Sequence, residues 1–291
     1  MGTNVKIMVF KRIFRCFLLL GLLVSITSNP VKGRTAGEKD SSSKYQWNGY
    51  ELLDSTFNGV NYKIVFPKIA NQNRDWIWRA RFWGHEPQTD IALLEHGFHL
   101  AYVDVSGLFG NEKAIKIWDV FYQKMLNDYS LNPKVVLEGM SRGGLIVYNW
   151  ANRNAGKVAC IYADAPVCDL KSWPAGKGNG TGSVNDWEAC LEQYQLTENE
   201  FMKFKGNPVD HLENIAKENI PILHIVGDLD RIVPVSENTD ILEKRLNLLG
   251  WKMKIIHKPN VGHHPHSLKD PELIVDFVLK NTGNLHNYLK E

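Results

Sequence analysis

Strand-like and helix-like runs of apolar residues take turns along most of this chain. Residues 50–57 and 60–66 read as two strands joined by Asn58-Gly59, a hairpin turn signal. The aromatic-rich run 76–82 (Trp-Ile-Trp-Arg-Ala-Arg-Phe) predicts a third strand. A helix over 88–96 follows, stopped by Gly97, and then a strand over 99–105. Over 112–129, Ile115, Trp118, Val120, Phe121, Tyr122, Met125 and Leu126 fit one helical face. Further strands are expected at 135–137, 158–163, 221–226 and 252–257, and helices at 145–152, 235–249 and 272–280. Asp270-Pro271 supplies an N-cap and a first-turn proline for the last of these. Such alternation predicts a mostly parallel sheet covered on both faces, preceded by an antiparallel hairpin. Residues 164–219 break the rhythm with Gly176, Gly178, Gly180 and Gly182, Trp173 and Trp187, and short polar helix-like pieces. They read as an insertion over the active site, with the glycine run as a mobile loop, rather than as a second domain.

The chemistry gathers at Val135-Val136-Leu137-Glu138-Gly139-Met140-Ser141-Arg142-Gly143-Gly144. A serine between glycines, where a strand turns into a helix, is a nucleophile elbow: the turn is tight, and the hydroxyl stands at the positive end of the helix. A serine hydroxyl needs a base in hydrogen-bond reach, and the base needs an acid to orient it. Acid candidates are Asp228 and Asp230, after the strand over 221–226, and Asp164, after the strand that follows the elbow. The base candidate is His263, in Gly262-His263-His264 after the next strand. The order Ser, Asp, His places all three past the C-terminal ends of parallel strands, where such sheets bind ligands.

With these motifs the chain, from about residue 50 onward, resembles an α/β-hydrolase. It is most similar to the esterase and prolyl-oligopeptidase-like branch found among secreted carbohydrate esterases. The resemblance implies an α/β-hydrolase fold, with Gly139, Ser141 and Gly143 as the Gly-x-Ser-x-Gly and Ser141 as nucleophile. Gly227, Asp230, Val233 and Pro234 fall on Gly-x-x-Asp-x-x-Val-Pro, so Asp230 rather than Asp228 is the implied acid. Gly262-His263 makes His263 the implied base. Asn260 departs from a frequent glycine, and residues 78–82 replace the usual His-Gly-Gly oxyanion motif. Oxyanion donors are then the backbone N–H of Arg142 and a second one near Arg81–Phe82. No metal or organic cofactor is expected; a His263–His264–His266 site is disfavoured by Pro265 and by the lack of nearby acidic ligands.

For the substrate, Arg79, Arg81 and Arg142 suit a carboxylate or a sugar hydroxyl, and strand alternation puts Arg79 and Arg81 on one side. Their rival reading is pairing with nearby acids. Trp76, Trp78, Trp83, Trp173 and Trp187 stand as stacking platforms or core, and His264 and His266 as substrate contacts or solvated loop residues. These features predict an ester hydrolase acting on an acetyl or methyl ester of a carbohydrate, with Arg79, Arg81 and His264 binding substrate. A prolyl-oligopeptidase-like peptidase is disfavoured by the lack of a propeller-sized extension. A non-catalytic binding protein is disfavoured by the presence of all three triad residues.

Composition adds localisation. Lys6, Lys11, Arg12 and Arg15 precede the apolar run 17–24, and small polar residues follow, so residues 1–28 read as a signal peptide and 29–48 as a disordered lead-in to a domain at 49–291. The run is short for a membrane span. The protein is expected to be secreted or periplasmic, monomeric and without stable membrane association once processed. Removing 1–28 takes four positive charges and no acid from a net +2, leaving −2, and no basic cluster remains, which excludes electrostatic nucleic-acid binding. Of the mature cysteines, Cys168–Cys190 is the better disulfide candidate, with three buried thiols (Cys160 included) as the equal alternative.

Overall fold

The computed structural model describes residues 42–284. The expected signal peptide lies outside the described residues. The lead-in does not stay unstructured to its end: β1 (Ser43–Trp47) pairs antiparallel with β2 (Tyr50–Phe57), which pairs antiparallel with β3 (Val60–Phe66). Asn58 and Gly59 both take positive φ (48° and 75°), the type I′ geometry that matches strand twist. Next come β4 (Trp76–Arg79), α1 (Gln88–Glu95), β5 (His99–Val103), α2 (Glu112–Tyr129), β6 (Val135–Met140), α3 (Gly143–Arg153) and β7 (Val158–Asp164). The insertion holds α4 (Val184–Tyr194), α5 (Glu198–Phe201) and α6 (Glu213–Lys217). The chain ends with β8 (Ile222–Gly227), α7 (Thr239–Leu248), β9 (Lys254–Lys258) and α8 (Glu272–Asn281).

One nine-stranded sheet runs β1-β2-β3-β5-β4-β6-β7-β8-β9, antiparallel up to the β3–β5 pair and parallel from β5 onward. This is the α/β-hydrolase fold. Side-chain alternation on β4 shows how its two faces divide. Trp76 and Trp78 point into a core shared with Trp118, Phe121 and Tyr122 of α2 and Trp150 of α3. Trp78 stacks on Trp118 with ring centroids 3.9 Å apart. Ile77 points the other way, into a core with Leu93 and Leu94 of α1 and Val275, Val278 and Leu279 of α8. Trp76 and Trp78 are therefore core, not sugar platforms. Among the described residues no helix is long and apolar enough to cross a membrane. Cys160, Cys168 and Cys190 are buried free thiols, so the disulfide alternative does not hold.

Arg79 is also misread as a substrate contact. It ends β4 on the α1 side of the sheet and is fully buried. Its Nη1 donates to Asp90 Oδ2 at 2.5 Å and to Glu138 Oε1 at 2.9 Å. Its Nε donates to the carbonyls of Arg81 and Phe82, both at 3.2 Å, and its Nη2 to the carbonyl of His85. Burial pushes the Glu138 carboxyl well up, with Arg79 opposing. A guanidinium with five donors is the side chain that can reach one oxygen of each of two buried acids and pin the turn after β4 together. The β4 strand stops there, so Arg81 is not placed by strand alternation at all.

Two predictions follow from this interior. Arg79→Met leaves Asp90 and Glu138 buried without their partner, and urea unfolding is expected to show a loss of about 3–5 kcal/mol. Retention of wild-type stability would contradict this account. Separately, buried His99 and His224 stay neutral in the fold, held down to about 4 and about 3, in both cases by desolvation first. In the unfolded chain they protonate near pH 6.5, so their contribution is complete above that pH and is lost as pH falls toward about 4 for His99 and about 3 for His224. Each erodes stability by about 1.4 kcal/mol per pH unit in that window. In unfolding curves at pH 7 and pH 5, His99→Gln should lose less stability on acidification than wild type; an equal loss would refute the assignment.

Candidate active site

β6 delivers Ser141 into a turn where its φ is +50°, a conformation that side chains other than glycine rarely adopt. Hydrogen bonds hold it there: Ser141 N–H donates to the Asp164 carbonyl at 2.8 Å, and the Ser141 carbonyl accepts from Val167 and Gly144 at 2.9 and 3.0 Å. The glycines that permit this differ from expectation. A Cβ at Gly139 would sit 3.1 Å from Val147 Cγ2, and one at Gly143 would make only ordinary contacts with Ala80 and Arg81. The severe clash is at Gly144, where a Cβ would lie 2.7 Å from Pro166 and 2.9 Å from the Val167 carbonyl. Gly144 thus lets the chain after β7 cross the start of α3.

Asp230 lies just past β8. Its Oδ1 accepts from the backbone N–H groups of Ile232 and Val233 at 2.9 and 2.8 Å. Its Oδ2 accepts from His263 Nδ1 at 2.6 Å, and His263 Nε2 lies 3.0 Å from Ser141 Oγ. The His263 loop reaches this position because Gly227 has no side chain: a Cβ there would lie 2.2 Å from the Gly262 carbonyl. Ser141, Asp230 and His263 are all buried. The other acid candidates are engaged elsewhere. Asp228 Oδ1 meets His257 Nδ1 at 2.7 Å on the surface. Asp164 is buried and binds His266 Nδ1 at 2.7 Å and the Ser267 N–H at 2.6 Å.

Beside Ser141 opens a pocket of about 390 Å³ lined by Phe82, Trp83, His85, Ser141, His263, His264 and His266. The described residues also form a larger cleft, about 830 Å³, against α2, with Asn111, Lys116, Asn149 and Gln193 in its wall and no serine–histidine pair. Phe82 takes φ +54° in the turn after β4 and forms part of the pocket wall; Gly143 abuts Arg81, so this turn lies against the first residues of α3. Trp83 packs on Trp47 of β1, with centroids 5.2 Å apart, so the first strand supports the wall. His264 is exposed, and desolvation, then the neighbouring imidazoles of His266, His263 and His85, hold it below the usual histidine range.

Arg79, Arg81 and Arg142 do not line this pocket. The Arg81 guanidinium lies over the Phe82 ring, 4.7 Å from its centroid. The Arg142 side chain pairs with Asp186 of α4 at 2.8 Å and lies over Phe109 and Trp173. It therefore anchors the insertion rather than offering charge to a substrate. Trp187 is buried in a separate small core with Phe109, Leu145 and Phe201, and is not a platform either. The insertion's glycine run is tied to the loop that follows Asp230: Thr181 N–H donates to the Arg231 carbonyl at 3.0 Å, and Asn179 N–H to the Glu237 carboxylate. It supports the acid loop and contributes nothing to the pocket wall. Trp83, read from sequence as a stacking platform or core, and His264 and His266, read as substrate contacts or loop residues, line the pocket; His85 lines it too, although no spacing in the sequence singled it out.

The prolyl oligopeptidase family pattern matches residues 112–285, well over half of the chain. No curated protein sequence matches it. Among solved structures, a puromycin hydrolase superposes with TM-score 0.59 at 14% identity, covering 84% of this chain and 39% of that one. Dipeptidyl peptidase 4 from Porphyromonas gingivalis gives TM-score 0.59 at 15% identity, over 84% and 35%. Acylaminoacyl peptidase from Pyrococcus horikoshii gives 0.57 at 15%, over 84% and 41%. This chain thus spans less than half the length of each. These likenesses support the fold, and the family match is to peptidases, which overturns the expected carbohydrate-esterase reading. The chain belongs to the prolyl oligopeptidase family.

Proposed function

We propose that this protein is a serine peptidase that cleaves a peptide or acyl-aminoacyl bond through an acyl-enzyme on Ser141. The observation that carries the reading is the hydrogen-bonded line Ser141–His263–Asp230 inside a chain of this family. In this reading His263 takes the hydroxyl proton as Ser141 attacks the carbonyl, and returns it to the leaving amine. Asp230 can only accept at His263 Nδ1, so it fixes the tautomer that leaves Nε2 free to act as base. Its second oxygen is occupied by two backbone N–H groups, which keeps the carboxylate from turning away. The N–H groups of Arg142 and Phe82 receive the oxyanion, each contributing about 2.7–4 kcal/mol. Water then releases the acyl group.

The pocket favours a compact acyl or side-chain group, since its walls are aromatic and imidazole rings with no fixed charge pair among them. The test is a substrate panel: acyl-aminoacyl and peptidyl p-nitroanilides against p-nitrophenyl acetate and acetylated xylan. The expected result is anilide hydrolysis that Ser141→Ala abolishes and Asp230→Asn lowers by about 10⁴-fold in kcat. Cleavage of esters alone, with every anilide untouched, would overturn the peptidase reading.

A further inference from the structure

Acyl transfer by a serine needs one imidazole backed by one carboxylate, yet this pocket contains two. His266 Nδ1 is held by buried Asp164 just as His263 Nδ1 is held by buried Asp230. In both rings the carboxylate accepts the Nδ1–H hydrogen bond, so the neutral imidazole keeps its proton on Nδ1 and its lone pair on Nε2. The two rings lie 4.6 Å apart, centroid to centroid, and nearly perpendicular. His264 completes the group, 5.1 Å from His263 and 4.7 Å from His266. One ligating atom from each of the three lies within 4.8 Å of the others.

A carboxylate behind an imidazole that faces an open pocket is how proteins orient histidines toward a metal. The acids that a metal reading seemed to lack stand behind the rings rather than beside them. Three neutral nitrogen donors suit a borderline-soft cation such as Zn²⁺ and not Mg²⁺ or Ca²⁺. Tetrahedral zinc, with Zn–N of about 2.0–2.1 Å, needs its nitrogens about 3.4 Å apart. His263 and His266 are fixed by their acids, while His264 is exposed and free to swing the remaining distance.

We propose that His263, His264 and His266 form a Zn²⁺ site, and that the ion takes the Nε2 lone pair on which Ser141 depends. Zinc and the Ser141 hydroxyl then compete for one nitrogen. Metal binding switches the hydrolase off, and metal removal restores it. The fourth coordination position faces the pocket and takes water. The inhibitory half of this proposal rests on His263 being the base; the binding half does not.

The experiment uses the full chain after EDTA treatment. ZnCl₂ is titrated by calorimetry, and CoCl₂ by its visible absorption, which reports nitrogen ligation directly. One equivalent of metal should bind. His264→Ala, at an exposed position that leaves the core intact, should raise the Zn²⁺ Kd by about ten-fold or more, and Asp164→Asn, which weakens the carboxylate behind the His266 ring, by about 10–100-fold. Hydrolysis of p-nitrophenyl acetate should fall over the same Zn²⁺ range and return with EDTA. No stoichiometric uptake, or His264→Ala binding zinc like wild type, would overturn the site. Saturating zinc that leaves the hydrolysis rate unchanged would overturn the competition for His263. If metal-free protein hydrolyses neither the ester nor any acyl-aminoacyl p-nitroanilide, the serine-hydrolase reading fails, and calorimetry still decides the metal site.

Discussion

The active site depends on one strained backbone position. Ser141 sits at φ +50°, which costs on the order of 1–3 kcal/mol for a residue with a side chain. The surrounding chain over-determines it: the Asp164 carbonyl holds its N–H, and two amides hold its carbonyl. That grip requires residues 164–167 to pass within contact of α3, which only a glycine at 144 allows. The same crossing places Asp164 under His266. A second close approach, the Gly262 carbonyl over Gly227, brings His263 to Asp230. Nucleophile, base and acid are thus assembled by backbone packing between strand ends, before any side chain chooses a rotamer.

Most of the architecture could be read along the chain because burial imposes simple periods on it. The helix over 112–129 emerges with both ends as expected, since its apolar face is continuous and Asn111 caps it. The positions of the elbow and of Asp230 were likewise legible, because each follows a strand buried on both sides, β6 and β8; His263 was marked instead by its Gly-His motif after β9, a partly exposed edge strand. What was not legible depends on partners far away in sequence. Arg79 looks like a substrate contact until Glu138, fifty-nine residues on, and Asp90 are seen to enclose it. Arg142 looks like a recognition residue until the insertion brings Asp186 to it. β1 was missed because its residues are mostly exposed, and pairing with β2 rather than a hydrophobic pattern makes it a strand.

The overturned expectation of a carbohydrate esterase has the same origin. Triad geometry specifies acyl transfer, not the acyl group or the leaving group. The esterase reading rested on arginines and tryptophans of which Trp83 alone lines the pocket; the others lie in ion pairs, cation–π contacts and the core. The family match rests on residues 112–285, so the length of the chain does not weigh against a peptidase. What remains at the pocket is aromatic and imidazole surface, with two carboxylate-backed histidines where one would serve.

The central claim is that this backbone arrangement makes Ser141 a nucleophile. The most direct measurement is reaction of the native protein with a fluorophosphonate probe, followed by mass mapping of the adduct. The account predicts a single modification, located on Ser141, that is absent from Ser141→Ala and from denatured wild type. No incorporation, or incorporation elsewhere in the native chain, would contradict it.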